Sequence, residues 1–141
     1  MENQSLESVV RANHELFMRT SDRLAQPLDE LGLTHATAQA LWAIDPAEPA
    51  PSMKALAGRL FCNAPNLNFV VNQLIDRGLV ERGTDPADRR VRVAVLTPKG
   101  REIRERVVEL TLTQTPFAAC PPEDLARLAE ILQRTLDDGG R

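Results

Sequence analysis

Only one stretch of this chain abandons helical periodicity, and its place between helices limits what the whole can fold into. In "RVRVAVLT", Val91, Val93 and Val95 alternate with Arg92 and Ala94, the period of two that sends successive side chains to opposite faces of a strand. The alternation predicts valines on the core face and Arg92 outward. The preceding "LVERGT" reads as a second strand, joined to the first by "DPADR", whose Asp and Pro suit a tight turn. The result is one β-hairpin in an otherwise helical sequence.

The flanking segments read as helices. Leu6, Val9, Val10, Phe17, Leu24, Leu28 and Leu31 recur at spacings of three, four and seven, the stripe of a long amphipathic helix from about Ser5 to Leu31 that Pro27 should bend. Thr34 is placed to cap a second helix, "HATAQALWAID", which "DPAEPAP" ends. Ser52 caps a short third, "MKALAGRLF". Asn63 caps a fourth, with Pro65 in its first turn, Leu67, Val71 and Leu74 on one face, and Gly78 as a left-handed stop. Short helix, turn and longer helix outline a helix-turn-helix, and a hairpin directly after such a pair is a wing. Thr97 and Pro98 then open a helix through "KGREIRERVVEL". A last helix from Pro121-Pro122 carries Leu125, Leu128, Leu132 and Leu136 on one stripe.

Charge is sorted along the chain. Residues 1–50 carry three arginines against eight acids, residues 51–106 eleven Lys or Arg against six acids, and residues 107–141 three against six. A basic middle between acidic ends says that a polyanion is met by the middle. The apolar fraction of 43% over 141 residues is that of one globular domain. No run of eighteen apolar residues exists, and "MENQSLESVVRANHE" is acidic and polar where a signal peptide is basic and then apolar. No membrane association and a cytoplasmic location are expected. Cys62 and Cys120 lack CxxC or Cys/His spacing, so reduced thiols are expected rather than a disulfide or zinc site. Cys62, just before the fourth helix, reads as a small packing residue, with a redox switch as the sharper alternative.

Three of the basic residues, Arg89, Arg90 and Arg92, fall within four positions at the hairpin tip. Arginine on a slender hairpin can reach the narrow minor groove of DNA, where negative potential is concentrated, and an adjacent carboxylate can orient the guanidinium. The plainer alternative is a solvated turn with an ordinary surface ion pair.

The order of elements, with "LIDRGLVER" followed by "DPADRRVRVAVLTPKG", resembles the MarR family of bacterial transcriptional regulators over nearly the whole chain. The fold that the resemblance implies is mainly α with a small β-hairpin wing: a winged helix-turn-helix over about 34–100, flanked by long dimerisation helices at about 1–31 and 101–141. It further implies a homodimer on a pseudo-palindromic double-stranded DNA operator, acting as a repressor and released by a small aromatic or phenolic effector. Asp88 would then brace Arg90, Arg89 and Arg90 would enter the minor groove, and the helix from Asn63 to Arg77 would lie in the major groove. This chain departs from the family where Asn68 and Phe69 stand in place of a common threonine and arginine, and in lacking the basic residue that members often place near Gln73.

The expected DNA contacts are therefore Ser52, Lys54, Asn63, Asn66, Asn68, Asn72, Gln73, Arg82, Arg89, Arg90 and Arg92. Asn and Gln amides can bridge adenine N6 and N7, which predicts modest affinity and A·T-leaning half-sites. The alternative is that some asparagines only cap the helix and face water. His14, Phe17, Met18 and Trp42 are the candidates for an effector pocket, or else pack a core or dimer interface. No metal and no cofactor is predicted. Nothing resembles a catalytic constellation, since "RGT" and "PKG" are turn chemistry. A winged helix acting as a ligand-binding or protein-interaction module, with weak or no specific DNA binding, is the competing reading.

Overall fold

The computed structural model describes residues 2–139, in the order α1 (Glu2–Glu30), α2 (His35–Ala43), α3 (Met53–Arg59), α4 (Ala64–Asp76), β1 (Val80–Asp85), β2 (Asp88–Leu96), α5 (Pro98–Gln114), a 3-10 turn (Pro116–Ala119) and α6 (Pro122–Gly139). Met1, Gly140 and Arg141, the outer ends of the expected dimerisation segments, lie outside the described residues. The mainly α fold with one hairpin wing agrees with the sequence reading.

Local chemistry sets each boundary. Thr34 and Thr37 form a reciprocal cap at the start of α2, with each side-chain oxygen accepting from the other's backbone N–H at 3.1 and 2.8 Å. Ser52, Asn63 and Thr97 cap α3, α4 and α5 by accepting from the N–H three residues on. Three helices end in one motif. Leu33 N–H donates to Leu28, Cys62 to Ala57 and Leu79 to Leu74, each across a residue of positive φ: Gly32 at 74°, Phe61 at 53° and Gly78 at 74°. Phe61 thus occupies a position whose backbone favours glycine.

The core lies among α2, α3, α4, the base of the hairpin and the inner ends of α1 and α5. Leu41, Leu56, Leu67, Val71, Leu74 and Val80 are fully buried, each worth about 1.5–3 kcal/mol of transfer free energy. Val107 joins the same cluster, so α5 is part of the core and runs unbroken across residue 101. α1 enters it through Leu24 and Leu28 while Leu6, Val9 and Val10 stay exposed, and α6 has no buried residue at all.

Two expectations for the hairpin are corrected. The core face is carried by Ala94 and Leu96 opposite Arg82 and Val80, and not by the valines. Val93 is buried outside that cluster, where Ser52 bridges to it and Pro51 accepts from Ala94 N–H at 3.0 Å. The small side chain of Ala94 misdirects an alternation count, because it lies fully buried between Arg82 and Pro51. The connecting loop is also shorter than "DPADR": β2 begins at Asp88, leaving Pro86 and Ala87 as the turn. Asp85 and Asp88 each accept from the backbone N–H two residues on, at 2.9 and 3.0 Å, which stiffens both ends of that turn.

The joint between α4, the hairpin and α5 is tied at Gly78 and Leu79. Thr97 donates its hydroxyl to the Gly78 carbonyl at 2.6 Å and its backbone N–H to the Leu79 carbonyl at 3.1 Å. The Leu-Thr-x-x-Gly end of the hairpin motif is therefore a structural clasp.

Candidate nucleic-acid interface and effector cavity

The register of the hairpin shifts between Thr84, opposite Arg92, and Asp85, opposite Asp88. Arg89, Arg90 and Val91 consequently have no cross-strand partner and form a bulge, the device by which a strand re-aims its side chains. Arg90 donates Nε to Asp88 Oδ1 at 3.2 Å, and the same oxygen takes its backbone N–H. Its side chain remains 92% exposed, so the pair orients a guanidinium in water and adds less than about 1 kcal/mol of stability. Arg89 and Arg92 are exposed as well, and Arg82 lies exposed on the same sheet face as Arg92, two pairs away along the ladder.

Not every cation of the basic middle is free to meet a polyanion. Arg77 donates to the carbonyls of Gly32 and Leu31 at the end of α1. Arg104 donates Nε and Nη2 to the Trp42 carbonyl at 3.3 and 3.0 Å, and Arg59 donates to the Ala43 carbonyl at 2.8 Å. These guanidiniums satisfy orphan carbonyls at helix C-termini, where the helix dipole favours positive charge. Within α3, α4 and the hairpin, the positive charge not held in this way is Lys54 at the start of α3 and the arginines of the wing.

The expected polar readers divide by position. Ser52 and Asn63 spend their side-chain oxygens on helix caps. Asn66, Asn68 and Asn72 are exposed on α4, while Gln73 is half-buried. Leu67, Val71 and Leu74 turn into the core, so the middle of the outward face falls on Pro65, Phe69 and Asn72. Phe69 is 66% exposed. It is not among the expected contacts, because the sequence signal for a DNA contact is a charge or an amide.

A cavity of about 520 Å³ opens between α1, α2, α5 and the loop after α3, walled by Phe17, Leu24, Leu28, Trp42, Leu60 and Phe117, with His35 and Arg59 as its titratable groups. Of the four candidates for an effector pocket, Phe17 and Trp42 line this cavity and His14 and Met18 do not: the lining positions of α1 run 13, 16, 17, 20, 21, 24 and 28, and His14 and Met18 lie beyond the edge of that stripe, both exposed. His35, Arg59 and Phe117 escape a sequence reading because they come from three separate elements that only the fold assembles.

Cys62 and Cys120 are free thiols, both half-buried. Among the described residues no group of His, Cys, Asp or Glu could hold a metal ion, and no helix is long and apolar enough to cross a membrane.

The MarR family's sequence model matches residues 31–91. No curated protein matches the chain. Among solved structures, AbsC from Streptomyces coelicolor, a MarR family transcriptional regulator, is similar with TM-score 0.76 and 23% identity over 96% of this chain and 95% of that one. Wild-type MarR from E. coli is similar with TM-score 0.71 and 25% identity over 89% and 95%. BpsR from Bordetella bronchiseptica, whose DNA binding is regulated by 6-hydroxynicotinic acid, is similar with TM-score 0.71 and 25% identity over 92% and 93%.

Proposed function

As a MarR-family winged helix-turn-helix protein, this chain is, we propose, a cytoplasmic, non-enzymatic transcriptional repressor that binds a pseudo-palindromic DNA operator as a homodimer and is released by a small aromatic effector. The observation that carries the reading is the bulged wing tip, where Arg89 and Arg90 stand clear of the strand ladder beside a carboxylate that orients one of them without burying it. Four wing arginines and Lys54 supply counterion release on the phosphate backbone. Asn66, Asn72 and Gln73 supply base-edge contacts in the major groove.

Dimerisation is supported by apolar surface that a single chain leaves in water. Leu6, Val9 and Val10 on α1 are 57–65% exposed, and Ile131, Leu132 and Leu136 on α6 are 47–68% exposed. Burying these surfaces against a second copy by two-fold symmetry would present two reading heads to successive major grooves, which on DNA lie about 34 Å apart.

The effector reading rests on the cavity. Apolar walls suit an aromatic ring, and His35, with whatever N–H groups Arg59 does not spend on the Ala43 carbonyl and on Glu48 at 3.8 Å, suits a phenolate or carboxylate on it. α2 and the end of α3 both border the space, so filling it bears directly on how the reading head sits against α1. A gel shift with DNA from upstream of the chain's own coding sequence tests the reading. A retarded band that a hydroxylated aromatic acid dissolves is expected, and absence of any sequence-selective band would favour the ligand-binding or protein-interaction module instead.

A further inference from the structure

We propose that Phe69 is a specificity-determining residue that recognises the 5-methyl group of thymine in the major groove; the inference rests on the DNA-binding reading above. Folding leaves this ring 66% exposed at the middle of the outward face of α4. Asn66 and Asn72 stand three residues to either side of it and Gln73 four beyond, all within reach of the same helix face. α4 contains no lysine or arginine, and the guanidinium of Arg77 that follows it is engaged on the Leu31 and Gly32 carbonyls. Attraction to phosphate is therefore not what this face offers. Its exposed chemistry around the ring is carboxamide, with the one carboxylate of the face, Asp76, two turns away at the last position of the helix.

An A·T pair presents both complements in one groove. Adenine N6 and N7 take a carboxamide, and the thymine partner projects a methyl group that phenylalanine can cover. The surroundings select DNA over a protein as the occupant. Lys54, Arg82, Arg89 and Arg92 form no ion pair among the described residues, so α3 and the hairpin, the elements before and after α4 in the chain, carry unneutralised positive charge that fits a polyanion.

The test uses duplexes selected by the full-length protein from a random-sequence pool. Each thymine of the selected duplex is replaced singly by deoxyuridine, which removes the methyl and keeps the pairing. At one or two positions per half-site the replacement is expected to weaken binding about fourfold, the worth of one buried methyl. Phe69→Ala should bind the thymine and uracil duplexes equally, and Phe69→Leu should retain the discrimination, while both keep the parent's salt dependence and thermal melt. Equal affinity of the parent for thymine and uracil at every position overturns the proposal and leaves DNA binding intact. So does unchanged discrimination in Phe69→Ala. A parent that selects no duplex at all overturns the DNA-binding reading and this inference with it.

Discussion

Gly100 sits so close to Leu79 that a Cβ on it would stand 1.9 Å from the Leu79 carbonyl oxygen. That oxygen already accepts from Thr97 N–H, and the neighbour is backbone, which cannot swing aside. Gly100→Ala in a helix would ordinarily stabilise by about 0.5–1 kcal/mol. Here the clasp between α5 and the hairpin must open, and we expect a loss of about 3 kcal/mol or more in urea unfolding. Gly58→Ala in α3, where an added Cβ meets nothing within 4 Å, should instead stabilise by about 0.5 kcal/mol. Equal effects at the two glycines would show that the approach of Gly100 to Leu79 is not a constraint.

Phe61 carries the opposite expectation. Its φ of 53° is one that side chains disfavour, and at 96% exposure the ring packs against nothing that would compensate. Phe61→Gly should raise stability by about 1 kcal/mol, read as a higher melting temperature. A fall in stability would mean that the ring has a partner in the dimer.

The helices, their caps and the hairpin are legible in the sequence because each rests on local chemistry: Thr34, Ser52, Asn63 and Thr97 cap where a capping side chain precedes an apolar period. What is not legible depends on neighbours remote in sequence. Ala94 is small enough to read as a spacer, and only the pairing with Arg82 and Pro51 shows it in the core. The charge of the middle segment likewise overstates its free positive surface, since Arg59, Arg77 and Arg104 are held by carbonyls 16 to 62 residues away. The cavity is half legible. α1 periodicity finds Phe17, but His35 and Arg59 join it only through the packing of α2 and the end of α3.

Titration with hydroxylated aromatic acids should perturb the emission of Trp42 in step with release of DNA. Trp42 is the only tryptophan and there is no tyrosine, so the signal has one source. His35→Ala and Arg59→Ala should each weaken ligand binding about tenfold or more, the worth of a charge-assisted hydrogen bond. His14→Ala, outside the cavity wall, should leave it nearly unchanged. A ligand that releases DNA while Trp42 emission stays constant would place the effector outside this cavity.

The wing separates charge from orientation. Arg89 forms no ion pair among the described residues, so Arg89→Ala should weaken binding to specific and nonspecific duplexes alike. The slope of log affinity against log salt should fall by about 0.9 for each phosphate that Arg89 would otherwise neutralise. Asp88→Ala removes no cation. It frees the Nε of Arg90 and the backbone N–H that shares the same carboxylate oxygen, so the guanidinium keeps its charge but samples many directions. Affinity for the operator should fall by about threefold to tenfold with the salt slope nearly unchanged, because the deficit is one of preorganisation rather than of counterion release. Asp88→Asn retains an oxygen acceptor and should recover part of that affinity. Fluorescence anisotropy across a range of salt concentrations reads both quantities in one experiment. If Asp88→Ala binds as tightly as the parent, the carboxylate serves only the turn, and if Arg89→Ala leaves both affinity and slope untouched, the bulge does not meet DNA.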